Sequence, residues 1–119
     1  MLVDQGAVTG LTYQNDYNVH AQRLTRLRNE PYEGGAWVRV DPGDTMTEHV
    51  NPGGETEIFY FFEGTGRMTV AGETTVVAAG DTVLVPPGAR HLLTNHGGTP
   101  LLCLALWWGG ETHLQEGTA

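Results

Sequence analysis

The amino-acid sequence predicts an all-β protein of one domain, a jelly-roll barrel of short antiparallel strands. Three observations predict it. Seventeen glycines and six prolines are scattered between short apolar runs in a chain of 119 residues, the punctuation of many tight turns rather than of a helical bundle. Runs such as Ala36 to Val40, AWVRV, alternate with the period of a strand that has one face buried. Eight to ten such segments, joined by hairpin corners, can be placed along the chain, and strands at that spacing suit a jelly roll. The length is that of a single domain with its own core.

Taken in order, residues 1–17 are polar and punctuated and are expected to form an N-terminal arm. The segment NVHAQRLTRLR over 18–28 suits either a helical turn or a strand, with Val19, Leu24 and Leu27 as anchors. The turn-rich NEPYEGG precedes the AWVRV strand, which should end at Asp41-Pro42-Gly43. A strand is expected over Met46 to Val50, a loop over NPGGET, and a further strand over Glu57 to Phe62. Glu63 to Gly66 reads as a turn, and RMTVAGETTVVAA as a hairpin about Ala71-Gly72. Strands at Thr82 to Val85, His91 to Thr94 and Leu101 to Trp108 complete the set. The barrel domain is thus placed at 18–110 and a C-terminal tail at 111–119.

Charge narrows the function. Fourteen acidic residues oppose six basic ones, all arginine, for a net charge of −8. Sequence-independent binding to nucleic acid or anionic membranes depends on clustered positive charge, so neither partner is expected. Arg23, Arg26 and Arg28 form a small basic group that reads as a solvated face. The single cysteine, Cys103, lies in the apolar run LLCLALWW and reads as a buried core residue of a reducing compartment. No stretch approaches the length of a membrane span, and the first residues lack the pattern of a secretory signal. A cytoplasmic location is the expectation.

Chemistry concentrates in two stretches. In GDTMTEHVNPGGETEIFYFFEG, His49 stands six residues after Gly43 and Glu57 seven before Gly64; in GDTVLVPPGARHLLTN, Gly80, Pro86, Gly88, His91 and Asn95 follow in fixed order. These spacings resemble the two signature motifs of the cupin superfamily, G-x5-H-x-H-x3–4-E-x6-G and G-x5-P-x-G-x2-H-x3-N. The second is matched throughout. The first carries Asn51 in place of its second histidine, with five residues between Asn51 and Glu57. The resemblance implies a small single-domain cupin barrel with a homodimer packed sheet to sheet.

Side chains alternate along strands, so His49 and Asn51 share one face, and Glu57, Phe59 and Phe61 share another. If both faces look inward, a histidine, an amide and a carboxylate enter the interior, and His91 joins them after the stiff Pro86-Pro87-Gly88 corner. Two imidazoles and one carboxylate form a facial triad that leaves coordination positions open for substrate or dioxygen. The expected metal ligands are therefore His49, Glu57 and His91, with Asn51 a weak neutral ligand or a support, and Glu57 and Asn51 the candidate catalytic residues. Glu55 is an alternative ligand to Glu57, although its place in a glycine-rich bend favours a solvent-facing role. Trp37, Phe59 and Phe61, with Trp107 and Trp108, are the candidate pocket walls, with core packing the competing role for each. Glu48 should point outward, and His20, His96 and His113 are expected to be structural or at the surface. Tyr60 and Phe62, with one of Trp107 and Trp108, suggest an apolar outer face that a second copy would cover.

The functional expectation is a metal-dependent enzyme acting on a small organic metabolite. One divalent transition metal is expected, with Fe2+ favoured for oxygenase chemistry. Zn2+, Mn2+ or Ni2+ would instead suit a redox-neutral lyase, isomerase or cyclase. A ligand-binding module without turnover is the alternative from another class.

Overall fold

Residues that alternate between apolar and polar along the sequence alternate between inside and outside in the structure. The computed structural model describes residues 10–23 and 32–110. Its strands are β1 (Thr12–Gln14), β2 (Val19–Arg23), β3 (Tyr32–Val40), β4 (Thr56–Glu63), β5 (Thr65–Val70), β6 (Glu73–Ala78), β7 (Thr82–Val85), β8 (His91–Thr94) and β9 (Leu101–Trp108), with one 3-10 turn at Pro52–Gly54. They form a six-stranded sheet in the order β1-β2-β3-β9-β4-β7 and a three-stranded sheet in the order β6-β5-β8, with every pairing antiparallel. This is the jelly-roll arrangement expected of the sequence.

On β4 the period of two is explicit. Glu57, Phe59 and Phe61 are buried, whereas Tyr60 between them is 45% exposed. Phe59 and Phe61 join Val40, Met46, Met68, Leu93 and Leu101 in one core between the sheets, and each such side chain contributes about 1.5–3 kcal/mol on burial. Cys103 is fully buried in the same core, and burial pushes its thiol pKa well up, so it packs and does not react.

Close approach explains two glycines. The Trp107 indole lies over Gly34, where a Cβ would come 2.8 Å from its Nε1. Gly64 turns the chain from β4 to β5 at a φ of +85° with its α-carbon against the Pro100 carbonyl, leaving no room for a side chain. The hairpin about Ala71-Gly72 forms as expected, both residues having positive φ.

Several expectations are corrected. Thr12–Gln14, assigned to the arm, pairs with β2 as an exposed edge strand; three polar residues are too few to show a period. The segment 18–28 resolves toward strand in its described part, and Val19 is buried; Leu24 and Leu27 lie outside the described residues. Met46 to Val50 is not a continuous strand. It touches β8 only through the bridges Thr45↔Thr94 and His49↔His91, because between them the Thr47 amide turns away to donate to the Tyr17 carbonyl at 2.9 Å. The expected tail over 111–119 lies outside the described residues.

Candidate metal centre and cavity

The two signature stretches meet through their backbones. The His49 amide donates to the His91 carbonyl at 3.1 Å, and the His91 amide donates back to His49 at 3.0 Å. A pair that exchanges both hydrogen bonds presents its side chains on the same face, and the two imidazole rings accordingly lie 4.3 Å apart between centroids. Further along, the Gly43 amide donates to the Asn95 carbonyl at 2.8 Å. Asn95 is fully buried; its amide donates to the carbonyls of Val40 and Thr99, and its side-chain oxygen accepts from the Gly97 amide. The last residue of the second motif therefore staples the loop after β8 and has no part in the cavity.

Each histidine is oriented by a backbone carbonyl two residues earlier. His49 Nδ1 lies 2.8 Å from the Thr47 oxygen, and His91 Nδ1 lies 3.1 Å from the Ala89 oxygen. A carbonyl only accepts, so both Nδ1 atoms carry the proton, and in the neutral rings both Nε2 atoms carry the lone pair. Burial lowers the His49 pKa from its ordinary value, the Thr47 carbonyl opposes that shift, and nearby His91 adds to it. The neutral, lone-pair form of His49 is thereby favoured.

Glu57 completes the convergence. Its Oε1 lies 3.4 Å from His91 Nε2, and that nitrogen is buried without a hydrogen-bond partner among the described residues. Asn51 donates its side-chain amide to the same Oε1 at 3.0 Å, so it positions the carboxylate. Two acceptors, an imidazole lone pair and a carboxylate oxygen, thus face each other, the nitrogen shielded from solvent. Such a pairing is unfavourable unless a proton or cation sits between them. Among the described residues, no three His, Cys, Asp or Glu side chains are drawn together closely enough to hold a metal ion. The donor chemistry fits a metal in kind, and the carboxylate is still held toward Asn51.

A cavity of about 660 Å³ opens beside these groups. His49, Asn51 and Glu57 reach it, together with Tyr17, Phe59 and Trp107. Of the expected walls, Phe59 and Trp107 line it. Phe61 is fully buried 6.4 Å from Phe59, deeper in the core. Trp37 faces the other side of the sheet, edge-on to Phe62 at 5.7 Å, because it pairs with outward-facing Leu104. Glu55, expected in solvent, is a cavity wall, and burial raises its pKa with help from nearby Glu57.

Two residues escaped the sequence reading. Tyr17, placed in the arm, packs its ring 4.7 Å from His49; nothing local marks it. Arg23, placed on a solvated face, lines the cavity; the period of β2, with Val19 and Ala21 buried, could have shown it facing inward. The remaining histidines stand apart: His20 pairs with Asp41 at 3.4 Å, His96 is exposed and His113 lies outside the described residues. Glu48 is exposed, 3.9 Å from Arg90.

Fold and motifs together define a cupin. Residues 36–108 match the cupin-domain family, and the chain belongs to it, a family whose fold commonly binds a metal. A Cupin 2 conserved barrel domain protein from Salinispora arenicola is 30% identical, with a TM-score of 0.80 over 99% of this chain and 97% of that one. The plu4264 protein from Photorhabdus luminescens, 23% identical, superposes with a TM-score of 0.78 over 98% of this chain and 94% of that one. An uncharacterized protein of Methanocaldococcus jannaschii, MJ1618, is 39% identical over 57 residues, which cover 48% of this chain and 46% of that protein. Among the described residues, no helix is long and apolar enough to cross a membrane.

Proposed function

We propose that the protein is a metal-dependent enzyme acting on a small organic molecule, with His49, Glu57 and His91 as the ligands of one divalent transition metal. The observation that carries this reading is the buried His91 Nε2, without a hydrogen-bond partner among the described residues, facing Glu57 Oε1 at 3.4 Å, a gap that a cation would fill. Both histidines present Nε2 because carbonyls hold Nδ1, the usual arrangement for metal-binding imidazoles. Asn51 keeps the carboxylate in place, and the cavity supplies apolar walls for a ligand.

A metal held by two histidines and one carboxylate retains open positions and supplies Lewis acidity or, as Fe2+, oxygen chemistry. The first reading is an Fe2+-type oxygenase. A redox-neutral lyase, isomerase or cyclase is the second, favoured by Glu55: a cavity carboxyl with a raised pKa is better placed to move a proton near neutrality. Oxygen uptake by the Fe2+-loaded chain with candidate substrates tests this: consumption coupled to product supports the oxygenase, and turnover without oxygen uptake supports the second reading.

The same reading includes a homodimer. On the outer face of the larger sheet, Trp37, Leu104, Tyr60 and Thr82 lie in one cross-strand row and Gly35, Leu106, Ile58 and Leu84 in the next. Tyr60 and Leu84 are 45% and 56% exposed. Neither row carries a charge on a chain of net charge −8, so two copies can meet there without like-charge repulsion.

A further inference from the structure

A metal held by His49, Glu57 and His91 would set the chemistry done in the cavity but not what enters it. On the inner face of the larger sheet, Arg23, Ala36, Ala105 and Phe59 are cross-strand neighbours in one row. The two alanines leave the middle of that row open, and the cavity occupies the space. Glu57 stands at the far side, on β4, three strands from Arg23 on β2. Trp107, leaning over Gly34, lies between them, and the Arg23 guanidinium sits 5.6 Å from the centre of its ring.

We infer that Arg23 is the specificity residue of the cavity and that it selects a small organic acid, taking the carboxylate while the rest of the molecule reaches toward Glu57. The cation–π contact with Trp107 holds the guanidinium of the exposed Arg23 without using its N–H donors. Among the described residues it makes no hydrogen bond or ion pair. It is also the only arginine lining the cavity among them: Arg39 is engaged by Asp41 at 2.9 Å, and Arg67 and Arg90 lie away from the cavity. A guanidinium matches a planar carboxylate through two parallel hydrogen bonds, whereas a neutral amide offers one acceptor oxygen. The inference rests on the metal reading, because without a cation at Glu57 the cavity carries more negative than positive charge.

The test is calorimetric titration of the metal-loaded full chain with matched pairs, acetate and acetamide, 2-oxobutanoate and 2-oxobutanamide, and phenylacetate and phenylacetamide. At least one acid should bind tenfold or more tightly than its amide. Arg23→Gln should abolish that preference by weakening the acid far more than the amide, Arg23→Lys should restore part of it, and Arg67→Gln should change nothing. Equal binding of every pair by the unaltered chain, or a preference that survives Arg23→Gln, overturns the inference. Metal content measured on the same samples separates the two failures: a chain that holds metal without preferring acids removes the role of Arg23 alone, and a chain that takes no metal removes the metal reading and this inference with it.

Discussion

His49 and His91 are hydrogen-bonded cross-strand partners, each donating its amide to the other's carbonyl at 3.1 and 3.0 Å. The spacing of the two motifs is therefore a statement of register: counting from the Gly43–Asn95 contact at one end, the intervening residues bring both imidazoles to one face. Inserting one residue between Gly43 and His49 would reverse which face His49 occupies. Such a variant is expected to keep its fold, shown by circular dichroism, and to lose its metal.

Asn51 positions Glu57 through a 3.0 Å hydrogen bond. Asn51→Ala should weaken metal affinity about 10–100-fold, the usual effect of removing a group that supports a ligand, with the melting temperature of the metal-free chain little changed. Competition with a chelator of known affinity measures it. Asn51→His would supply the imidazole that the family motif carries at this position, and it should tighten binding.

Protonation sets a lower pH limit. The His49 pKa lies below its ordinary 6.5, chiefly because burial penalises the charged ring. In the unfolded chain the ring takes up its proton near 6.5, whereas in the folded chain it does so only at lower pH. The folded state thus binds fewer protons in that window, and stability from this group is full above 6.5 and lost as pH falls through the folded pKa. Metal affinity should follow the same course, holding at pH 6.5 and falling below it. The His49→Gln variant should lack this inflection in denaturant-derived stability measured from pH 7.5 to 5.

Stability rests heavily on Asn95. Three hydrogen bonds from one fully buried amide join Val40, Gly97 and Thr99. Asn95→Ala leaves those backbone groups without partners and should cost about 2–4 kcal/mol in urea unfolding.

The outer sheet face offers a separate test. Tyr60→Glu with Leu84→Glu places two acids on the uncharged rows. By sedimentation, the unaltered chain should be a dimer at micromolar concentration and the double variant a monomer with unchanged circular dichroism. A monomeric unaltered chain removes the dimer.

Much of the fold was legible because strand alternation is a local property. AWVRV, the Glu57 to Phe62 run and the hairpin at Ala71-Gly72 can each be read from a few neighbouring residues. His49, Glu57 and His91 were legible through fixed spacing that resembles a known pair of motifs. What stayed hidden depends on contacts distant in sequence. Trp37 and Phe59 look equivalent as aromatic strand residues; which faces the cavity is settled by Trp37 pairing with Leu104 and Phe59 with Ala105. Tyr17 reaches His49 because its carbonyl holds the Thr47 amide, a link across 30 residues. Glu55 looked like a loop acid because a glycine-rich bend says nothing of which way it folds.

The metal content of the purified full chain, after loading with Fe2+ or Zn2+ and exhaustive dialysis, bears most directly on the central claim. One metal ion per chain is expected, falling to background in His49→Ala, Glu57→Gln and His91→Ala variants that still fold. A folded chain that retains no metal, or variants that retain as much as the unaltered protein, would contradict it.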